Sequence, residues 1–183
     1  MELVVPSLSQ LDGYVDALKR GWSPDNERLE AAAREHLEMI EKDAAAFLAR
    51  TQDREAKGGD IPMPDGSMVK RLPGFVRWMW DGEFCGQIGF RWQPGTEALP
   101  TYVIGHIGYA VVPWKRRRGY ATRALGRMLA AARREGLAWV ELTTDTGNEA
   151  SQKVITANGG QLMERFVSPS HGDEERLRYR IPL

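Results

Sequence analysis

One segment near the middle of the chain constrains the fold more than any other. Residues 105–125 read GHIGYAVVPWKRRRGYATRAL, a β-branched and aromatic run that stops at Pro113 and becomes a helical pattern after Gly119. A strand that delivers the chain to a glycine turn and a helix N-terminus brings unpaired N–H groups and the positive end of the helix dipole together. Four consecutive cations, residues 115–118, stand in that turn. The segment therefore predicts an anion site, and the cations favour a phosphate over a carboxylate.

Hydrophobic periodicity predicts strands and helices on both sides of this segment. In chain order, the expected elements are a strand at 2–6, helices at 8–20 and 24–50, a long loop at 51–73, a hairpin of 75–80 and 84–92, a strand at 104–112, a helix at 119–135, a strand at 137–144, a short helix at 148–158, and a closing antiparallel pair at 161–167 and 175–181. The strand–helix–strand unit that begins at 104 normally forms a right-handed crossover between parallel strands.

The second helix carries the clearest start signal. Ser23 suits an N-cap and Pro24 suits the first helical position, where its missing N–H costs nothing. Apolar residues then recur at three- or four-residue spacing from Leu29 to Phe47, which predicts an amphipathic helix. His36 lies off that apolar stripe, so we expect it on the surface.

Length and composition exclude several classes of protein. The 183 residues suit a single domain, and 25 basic against 25 acidic residues give no overall charge to attract nucleic acid or an anionic membrane. No apolar run approaches the length of a membrane span and the N-terminus does not resemble a secretion signal, so a cytoplasmic protein is expected. Three scattered histidines predict no metal site, and Cys85 reads as a small buried hydrophobe rather than a nucleophile.

Charge is unevenly distributed along the chain. Residues 98–134 contain eight basic and no acidic side chains, whereas residues 25–65 contain eleven acidic and six basic ones. The N-terminal third therefore favours a cationic partner, and the central segment favours an anionic one.

Two common phosphate-binding motifs do not fit the segment. No stretch supplies the G-x-x-x-x-G-K-[ST] loop of nucleoside-triphosphate hydrolases. Gly119, Ala121 and Ala124 occupy the three positions of a dinucleotide fingerprint with Asp145 downstream, but the middle alanine and the long arginine-rich lead-in argue against it. A solvated turn and a patch that grips nucleic-acid phosphates remain as alternatives.

The residues instead resemble a known family. The run from Arg116 to Ala121 resembles the Q/R-x-x-G-x-G/A motif of the GNAT superfamily of acyl-CoA-dependent N-acetyltransferases. GHIGYAVVP resembles the family's fourth strand, NEASQKVITANGG its N-x-x-[AS]…NG[GF] helix, and WDGEFCGQIGF its second and third strands. The resemblance implies an α+β fold, the three-layer α/β/α GNAT fold, with a mixed, largely antiparallel sheet of six to seven strands and about four helices.

The resemblance also implies acetyl-CoA as the co-substrate, with no metal. Val111 and Val112 would pair with pantetheine, the Val111 N–H would polarise the thioester carbonyl, and Asn148 and Ser151 would contact the pantetheine arm. Backbone N–H groups and arginine side chains would hold the pyrophosphate at seven consecutive residues: Arg116, Arg117, Arg118, Gly119, Tyr120, Ala121 and Thr122.

Two catalytic positions depart from the family pattern. His106 stands where many relatives place a glutamate base, so it is either the base or a hydrogen-bonded strand residue. The usual tyrosine acid is replaced by Ile155, which leaves Tyr109, Tyr102, Tyr120 or solvent to protonate the CoA thiolate.

The expected function is transfer of an acetyl group from acetyl-CoA to a primary amine by direct attack in a ternary complex. Within one domain of residues 1–183, residues 1–72 would form the acceptor side, 73–166 the acyl-CoA-binding core and 167–183 a closing strand. A CoA-binding module without turnover and, less favoured, a nucleic-acid-binding protein are the alternatives. The acceptor, a small molecule or a protein amine, is left open, as is the choice between monomer and homodimer; no nucleic-acid or membrane partner is expected.

Overall fold

The computed structural model describes residues 1–63, 66–168 and 173–183. His171 lies outside the described residues. In chain order, the described residues form β1 (Glu2–Val4), α1 (Leu8–Lys19), α2 (Leu29–Arg50), β2 (Ile61–Pro62), β3 (Met68–Val69), β4 (Gly74–Trp80), β5 (Phe84–Arg91), β6 (Ile107–Val111), a 3-10 helix (Pro113–Lys115), α3 (Tyr120–Arg134), β7 (Trp139–Asp145), α4 (Glu149–Thr156), β8 (Gln161–Val167) and β9 (Glu175–Pro182).

Seven of the described strands build two sheets. The first has the order β1-β4-β5-β6 and the second the order β7-β9-β8, and every ladder in both is antiparallel. The predicted hairpin is confirmed as β4 and β5, and β2 with β3 forms a short antiparallel pair inside the long loop. Seven strands and four α-helices agree with the expected α+β fold.

Two hydrophobic clusters lie on opposite faces of the first sheet, which gives the expected three layers. Phe75 and Met79 of β4 pack with α3, whereas Trp78, one position before Met79, packs with α1 and α2. This alternation follows the two-residue period of a strand. Trp78 stacks on Tyr14 of α1 with ring centroids 4.8 Å apart. The helices before and after the central hairpin therefore cover different faces of the sheet.

Among the described residues, one residue pair makes the backbone hydrogen bonds that join the two sheets. The His106 backbone N–H donates to the Glu141 carbonyl at 2.8 Å, and the Glu141 N–H donates to Nδ1 of His106 at 2.9 Å. Beyond this pair, β6 runs to Val111 and β7 to Asp145, and no ladder joins these two strands among the described residues. The predicted strand–helix–strand unit is present as β6, α3 and β7, and its two strands leave a gap between them that is closed at His106. β6 begins at Ile107 and is therefore shorter than the predicted strand 104–112. His106, within the predicted range, makes the link to Glu141 just before β6.

The predicted start of the second helix at residues 23–24 is wrong. The helix begins at Leu29, and Asp25 caps the preceding turn by accepting the N–H groups of Glu27 at 2.8 Å and Arg28 at 3.0 Å. The Ser23–Pro24 pattern therefore did not mark the start of the helix. The Asp25 carboxylate forms the cap instead, because an acidic side chain stabilises free N–H groups just before a helix.

The surface position predicted for His36 is also wrong. Its ring is half-buried, and Nδ1 lies 2.6 Å from the Tyr14 hydroxyl. Phe47 packs against the same ring with centroids 5.1 Å apart, and burial lowers the pKa of His36. The packing of α1 against α2 thus half-buries His36, although the apolar spacing of α2 alone places this residue on the solvent-exposed face of the helix.

The His106 link predicts a pH-dependent stability. Burial lowers the pKa of His106 to about 4, although the Glu141 charge opposes this, so the folded chain holds a neutral ring while the unfolded chain titrates near its ordinary value of about 6.5. This contribution is complete above about pH 6.5 and is lost as the pH falls towards 4. We expect the unfolding free energy to drop between pH 7 and pH 5 by about 2 kcal/mol more in the native sequence than in His106→Asn.

Urea denaturation at the two pH values measures the difference. The asparagine oxygen can still accept the Glu141 N–H, so His106→Asn should fold, whereas His106→Ala should cost a further 1–3 kcal/mol, approximately the penalty of an unpaired buried donor. Equal pH dependence in the native chain and His106→Asn would show that His106 does not titrate this way.

Candidate functional site

The arginine turn, defined here as residues 115–119, aims backbone donors at one point. Arg117 has φ 62° and Gly119 φ 71°, so the chain reverses through two left-handed residues before α3 begins at Tyr120. The first helical hydrogen bond is donated by Arg123 to the Gly119 carbonyl at 3.1 Å. Within the described part of the chain, the backbone N–H groups of residues 117–122 have no acceptor. Six unpaired donors and the positive end of the helix dipole thus lie together at the start of α3, as an anion site requires.

The four cations of the turn divide into two groups. Arg116, Arg117 and Arg118 are exposed, whereas Lys115 is buried and pairs with Asp81 at 3.0 Å and Glu83 at 2.8 Å. Three of the four cations are therefore available to an anion. The sequence treated them as equivalent because it did not show that Lys115 faces the β4–β5 turn.

Asp81 is a site residue that the sequence did not reveal. Its carboxylate accepts hydrogen bonds from the Lys115 ammonium at 3.0 Å and from the Tyr120 hydroxyl at 2.5 Å, at the first residue of the turn and the residue that follows it. Burial opposes the charged form, but these hydrogen bonds hold the pKa of Asp81 well below its usual range. In the sequence, Asp81 reads only as the first residue of a tight hairpin turn.

The outer edge of β6 carries the predicted thioester contact. The Val112 N–H donates to the Cys85 carbonyl at 3.0 Å, and the Val112 carbonyl accepts from Lys115 at 3.0 Å. Because successive residues of a strand alternate their donors, the N–H and carbonyl of Val111 face away from β5, towards the gap. Arg116 Nε lies 3.3 Å from the Val111 carbonyl. Val111 therefore keeps a free N–H for a ligand, whereas the backbone groups of Val112 already have partners.

Tyr109 and Ser151 meet across the same region. The Tyr109 hydroxyl lies 2.8 Å from Ser151 Oγ, which joins β6 to α4. Burial raises the pKa of Tyr109 to about 12, although Ser151 opposes the shift, so the phenol stays protonated at neutral pH. A neutral phenol can donate a proton. The structure thus places Tyr109, among the tyrosines left open by the sequence, beside the α4 position, where Ile155 is fully buried in the core.

Asn148 and Asn158 fix α4. The Asn148 side chain caps the helix by accepting the Ser151 N–H at 3.0 Å, which fixes the orientation of the amide at the start of α4. Asn158 Nδ2 donates to the Thr122 carbonyl at 3.2 Å and the Val154 carbonyl at 2.8 Å. The sequence assigned Asn158 only to the end of a helix, but it also ties α4 to the first turn of α3.

His106 lies at the closed end of the gap. Its side chain is fully buried and Nδ1 accepts a hydrogen bond from Glu141, while the Glu97 backbone and the Glu141 charge only partly offset the desolvation that lowers its pKa. These surroundings favour the hydrogen-bonded role over the role of base, which stays a prediction.

The described residues contain neither a cluster of metal ligands nor a membrane-spanning helix. Among residues 1–63, 66–168 and 173–183, no group of three or more His, Cys, Asp or Glu side chains is placed to hold a metal ion. No helix in this part of the chain is long and apolar enough to cross a membrane.

A family model described as an acetyltransferase (GNAT) domain matches residues 20–161, which is more than three quarters of the chain. The chain belongs to the GNAT acetyltransferase family. The expected family and acyltransferase class are confirmed. No curated protein matches this GNAT sequence.

Solved structures share the fold over nearly the whole chain. The microcin C7 self-immunity acetyltransferase MccE, in complex with acetyl-CoA and AMP, has a TM-score of 0.64 at 10% identity and covers 99% of this chain and 91% of its own. A Salmonella typhimurium enzyme that modifies the N-terminal serine of a 50S ribosomal subunit protein has a TM-score of 0.64 at 15% identity, covering 99% and 94%. A variant of the spermidine N-acetyltransferase SpeG from Vibrio cholerae has a TM-score of 0.59 at 11% identity, covering 100% and 95%. At these identities the similarity establishes the GNAT fold.

The hydrogen bonds of Asp81 with Lys115 and Tyr120 give a prediction for stability. Asp81→Asn removes the charge that pairs with buried Lys115 and should lower the free energy of unfolding by about 1–3 kcal/mol. Glu83→Gln is the matched control, because Glu83 pairs with the same lysine but its side chain is 75% exposed, and it should cost less than about 0.5 kcal/mol. Urea denaturation compares the two, and equal losses would show that Lys115 does not depend on Asp81.

Proposed function

We propose that this GNAT protein transfers an acetyl group from acetyl-CoA to a primary amine by direct attack in a ternary complex. The observation that carries the proposal is the run of six unpaired N–H groups at residues 117–122, a few residues after the free N–H of Val111 on the edge of an open gap. Pyrophosphate at the turn and a thioester at Val111 would place CoA along β6. The MccE complex with acetyl-CoA supports this choice of donor.

Direct attack is supported by the state of the cysteine. Cys85 is fully buried, its thiol donates to the Glu83 carbonyl at 3.3 Å, and burial raises the thiol pKa to about 12. A thiol in this state supplies almost no thiolate at neutral pH, so a covalent acetyl-cysteine intermediate is not supported. The amine therefore attacks the thioester itself.

Three residues take part in the proposed reaction. The Val111 N–H donates to the thioester oxygen and stabilises the negative charge that forms when the amine attacks. When the C–S bond breaks, the thiolate of CoA takes a proton from the Tyr109 hydroxyl, which Ser151 orients. His106 has its Nδ1 occupied and a pKa of about 4, so we infer that it positions β6 and that water in the gap accepts the proton of the amine.

The acceptor side is supported by the loop between α1 and α2. Gln87 Nε2 donates to the Pro24 carbonyl at 3.2 Å, and Asn26 Nδ2 lies 3.5 Å from the Tyr109 carbonyl. These contacts bring the N-terminal segment, part of the predicted acceptor side of residues 1–72, over β5 and β6. Relatives act on spermidine and on a protein N-terminus, so both a small amine and a protein amine fit the proposal.

The alternatives make different predictions. A CoA-binding module without turnover would bind acetyl-CoA but release no thiol with any amine. A nucleic-acid-binding protein would instead show binding that weakens steeply with salt, although the pairing of Lys115 with Asp81 removes one of the four cations from such a patch. A homodimer stays a prediction that analytical ultracentrifugation decides.

Binding of CoA should depend on the exposed arginines. The double variant Arg117→Gln/Arg118→Gln removes two charges beside the free N–H groups and should raise the Kd for acetyl-CoA about 10- to 100-fold in calorimetry. Arg133→Gln/Arg134→Gln, at the opposite end of α3, is the matched control and should stay within about twofold. Equal effects of the two pairs would indicate nonspecific attraction, and no heat with the native chain at millimolar acetyl-CoA would refute the proposal.

Turnover should depend on the Tyr109 hydroxyl. Tyr109→Phe removes the proposed acid and should lower kcat about 10- to 100-fold with little change in the KM for acetyl-CoA. Tyr102→Phe is the control, since the Tyr102 hydroxyl bonds only to the Lys70 carbonyl among the described residues.

His106→Asn should keep most of the activity and the native pH–rate profile. Unchanged kcat in Tyr109→Phe would assign the proton to solvent, and a lost alkaline or acidic limb in His106→Asn would restore His106 as the base.

A further inference from the structure

On the face that α1 and α2 cover, the middle of the first sheet has a patch of bare backbone at the paired residues Gly89 and Gly108, called here the floor. Gly89 of β5 pairs with Gly108 of β6, and Gly108 is exposed although it lies inside a strand. An added Cβ at Gly89 would have nothing closer than 3.8 Å, so close packing does not require glycine there. The pair instead leaves an open surface beside the gap, next to the position where Val111 faces the proposed thioester.

Arg91 lies along this floor. Its Nη2 is 3.8 Å from the point where a Cβ of Gly108 would sit, and its side chain is exposed. The surrounding protein desolvates the guanidinium and lowers its pKa, which Asp25 and Glu27 oppose. The guanidinium therefore lies over the Gly89–Gly108 pair, where the charges of Asp25 and Glu27 in the α1–α2 loop act on it.

The charge of Arg91 has no direct partner. Across the three described stretches of the chain, the Arg91 side chain has no ion pair within 4.0 Å and no side-chain hydrogen bond. The two acids whose charges act on Arg91 are engaged elsewhere, since Asp25 caps the turn before α2 and Glu27 bonds to Arg176 at 2.7 Å. A guanidinium that lies beside the open glycine pair without an ion pair can bind an anion from outside the chain through charge-assisted hydrogen bonds.

From this geometry we propose that Arg91 binds an anionic group of the acceptor, so that the substrate carries a carboxylate or phosphate in addition to the amine. The inference rests on the proposed function. Gly108 is three residues from Val111, which corresponds to about 10 Å along a strand. The anion and the amine should therefore be separated by up to about this distance. Arg91 is a specificity residue in this proposal, and the amine reacts at Val111.

A series of small amines of increasing chain length, assayed as acceptors with the full-length protein, tests the proposal. ω-Amino carboxylates with one to seven methylenes, ω-aminoalkyl phosphates and n-alkylamines of matched length are assayed for CoA thiol release. We expect kcat/KM to be at least tenfold higher for the anionic amines than for the alkylamines, with a maximum at one chain length. A pair of peptides, Ser-Asp-Ala-Ala amide and Ser-Asn-Ala-Ala amide, distinguishes a protein source of the anion from a free small molecule.

Variants connect the preference to Arg91. Arg91→Gln should lower kcat/KM for the best anionic acceptor about 10- to 100-fold through KM, and Arg91→Lys should recover part of the loss. Alkylamines should change less than about twofold in both variants. Arg134→Gln, an exposed arginine on α3, is the matched control. Binding of acetyl-CoA, measured in each variant, shows whether the donor site is intact.

The outcomes separate this inference from the proposed function. If alkylamines react as fast as their anionic counterparts, or if Arg91→Gln lowers both equally while acetyl-CoA still binds, the role of Arg91 is refuted and the acetyltransferase proposal stands. If neither the anionic amines, the alkylamines nor the peptides release thiol, while acetyl-CoA binds, the proposed function fails and this inference fails with it.

Discussion

The two hydrogen bonds between His106 and Glu141 fix the relation of the two sheets. They are made by one backbone carbonyl, two backbone N–H groups and one imidazole nitrogen, at a point where both side chains are buried. Beyond them β6 and β7 share no ladder in the part of the chain that the structure describes, so the position of this link decides where the gap begins. The Glu141 carboxylate is in turn held by Arg178 at 3.1 Å and Arg180 at 2.8 Å of the neighbouring strand β9. The closed end of the gap is therefore anchored on both sides.

The open end of the gap is fixed by different chemistry. Asp81, at the tip of the β4–β5 hairpin, holds Lys115 at the start of the arginine turn and Tyr120 directly after it. This matters because left-handed backbone at a non-glycine residue such as Arg117 is intrinsically unfavourable and persists only when its surroundings hold it. A buried polar link at each end thus sets the length of the β6 edge between them, and Val111 lies on that edge.

The sequence predicted the elements that depend on local pattern and missed those that depend on tertiary pairing. The β4–β5 hairpin, α3 and the β8–β9 pair are confirmed because alternation, helical spacing and glycine breaks are written within each segment. The start of α2 and the location of His36 were wrong because a remote or competing side chain decided them. Within the site, Gly119 and Val111 could be predicted from a short motif. Asp81 could not, since its partners are 34 and 39 residues away.

The basic residues show how a chain of zero net charge can present a cationic site. Lys115, Arg178 and Arg180 are paired with carboxylates, so they hold the structure together and add little to its external field. Arg117, Arg118 and Arg91 have no carboxylate within 4.0 Å among the described residues, and they lie at the turn and on the floor beside the gap. Unpaired charge in a cleft has a larger local effect than the same charge on a flat surface, because the low-dielectric walls focus its field. Because part of the basic side chains is paired within the fold, the positive charge that stays available lies where the proposed CoA and acceptor would bind.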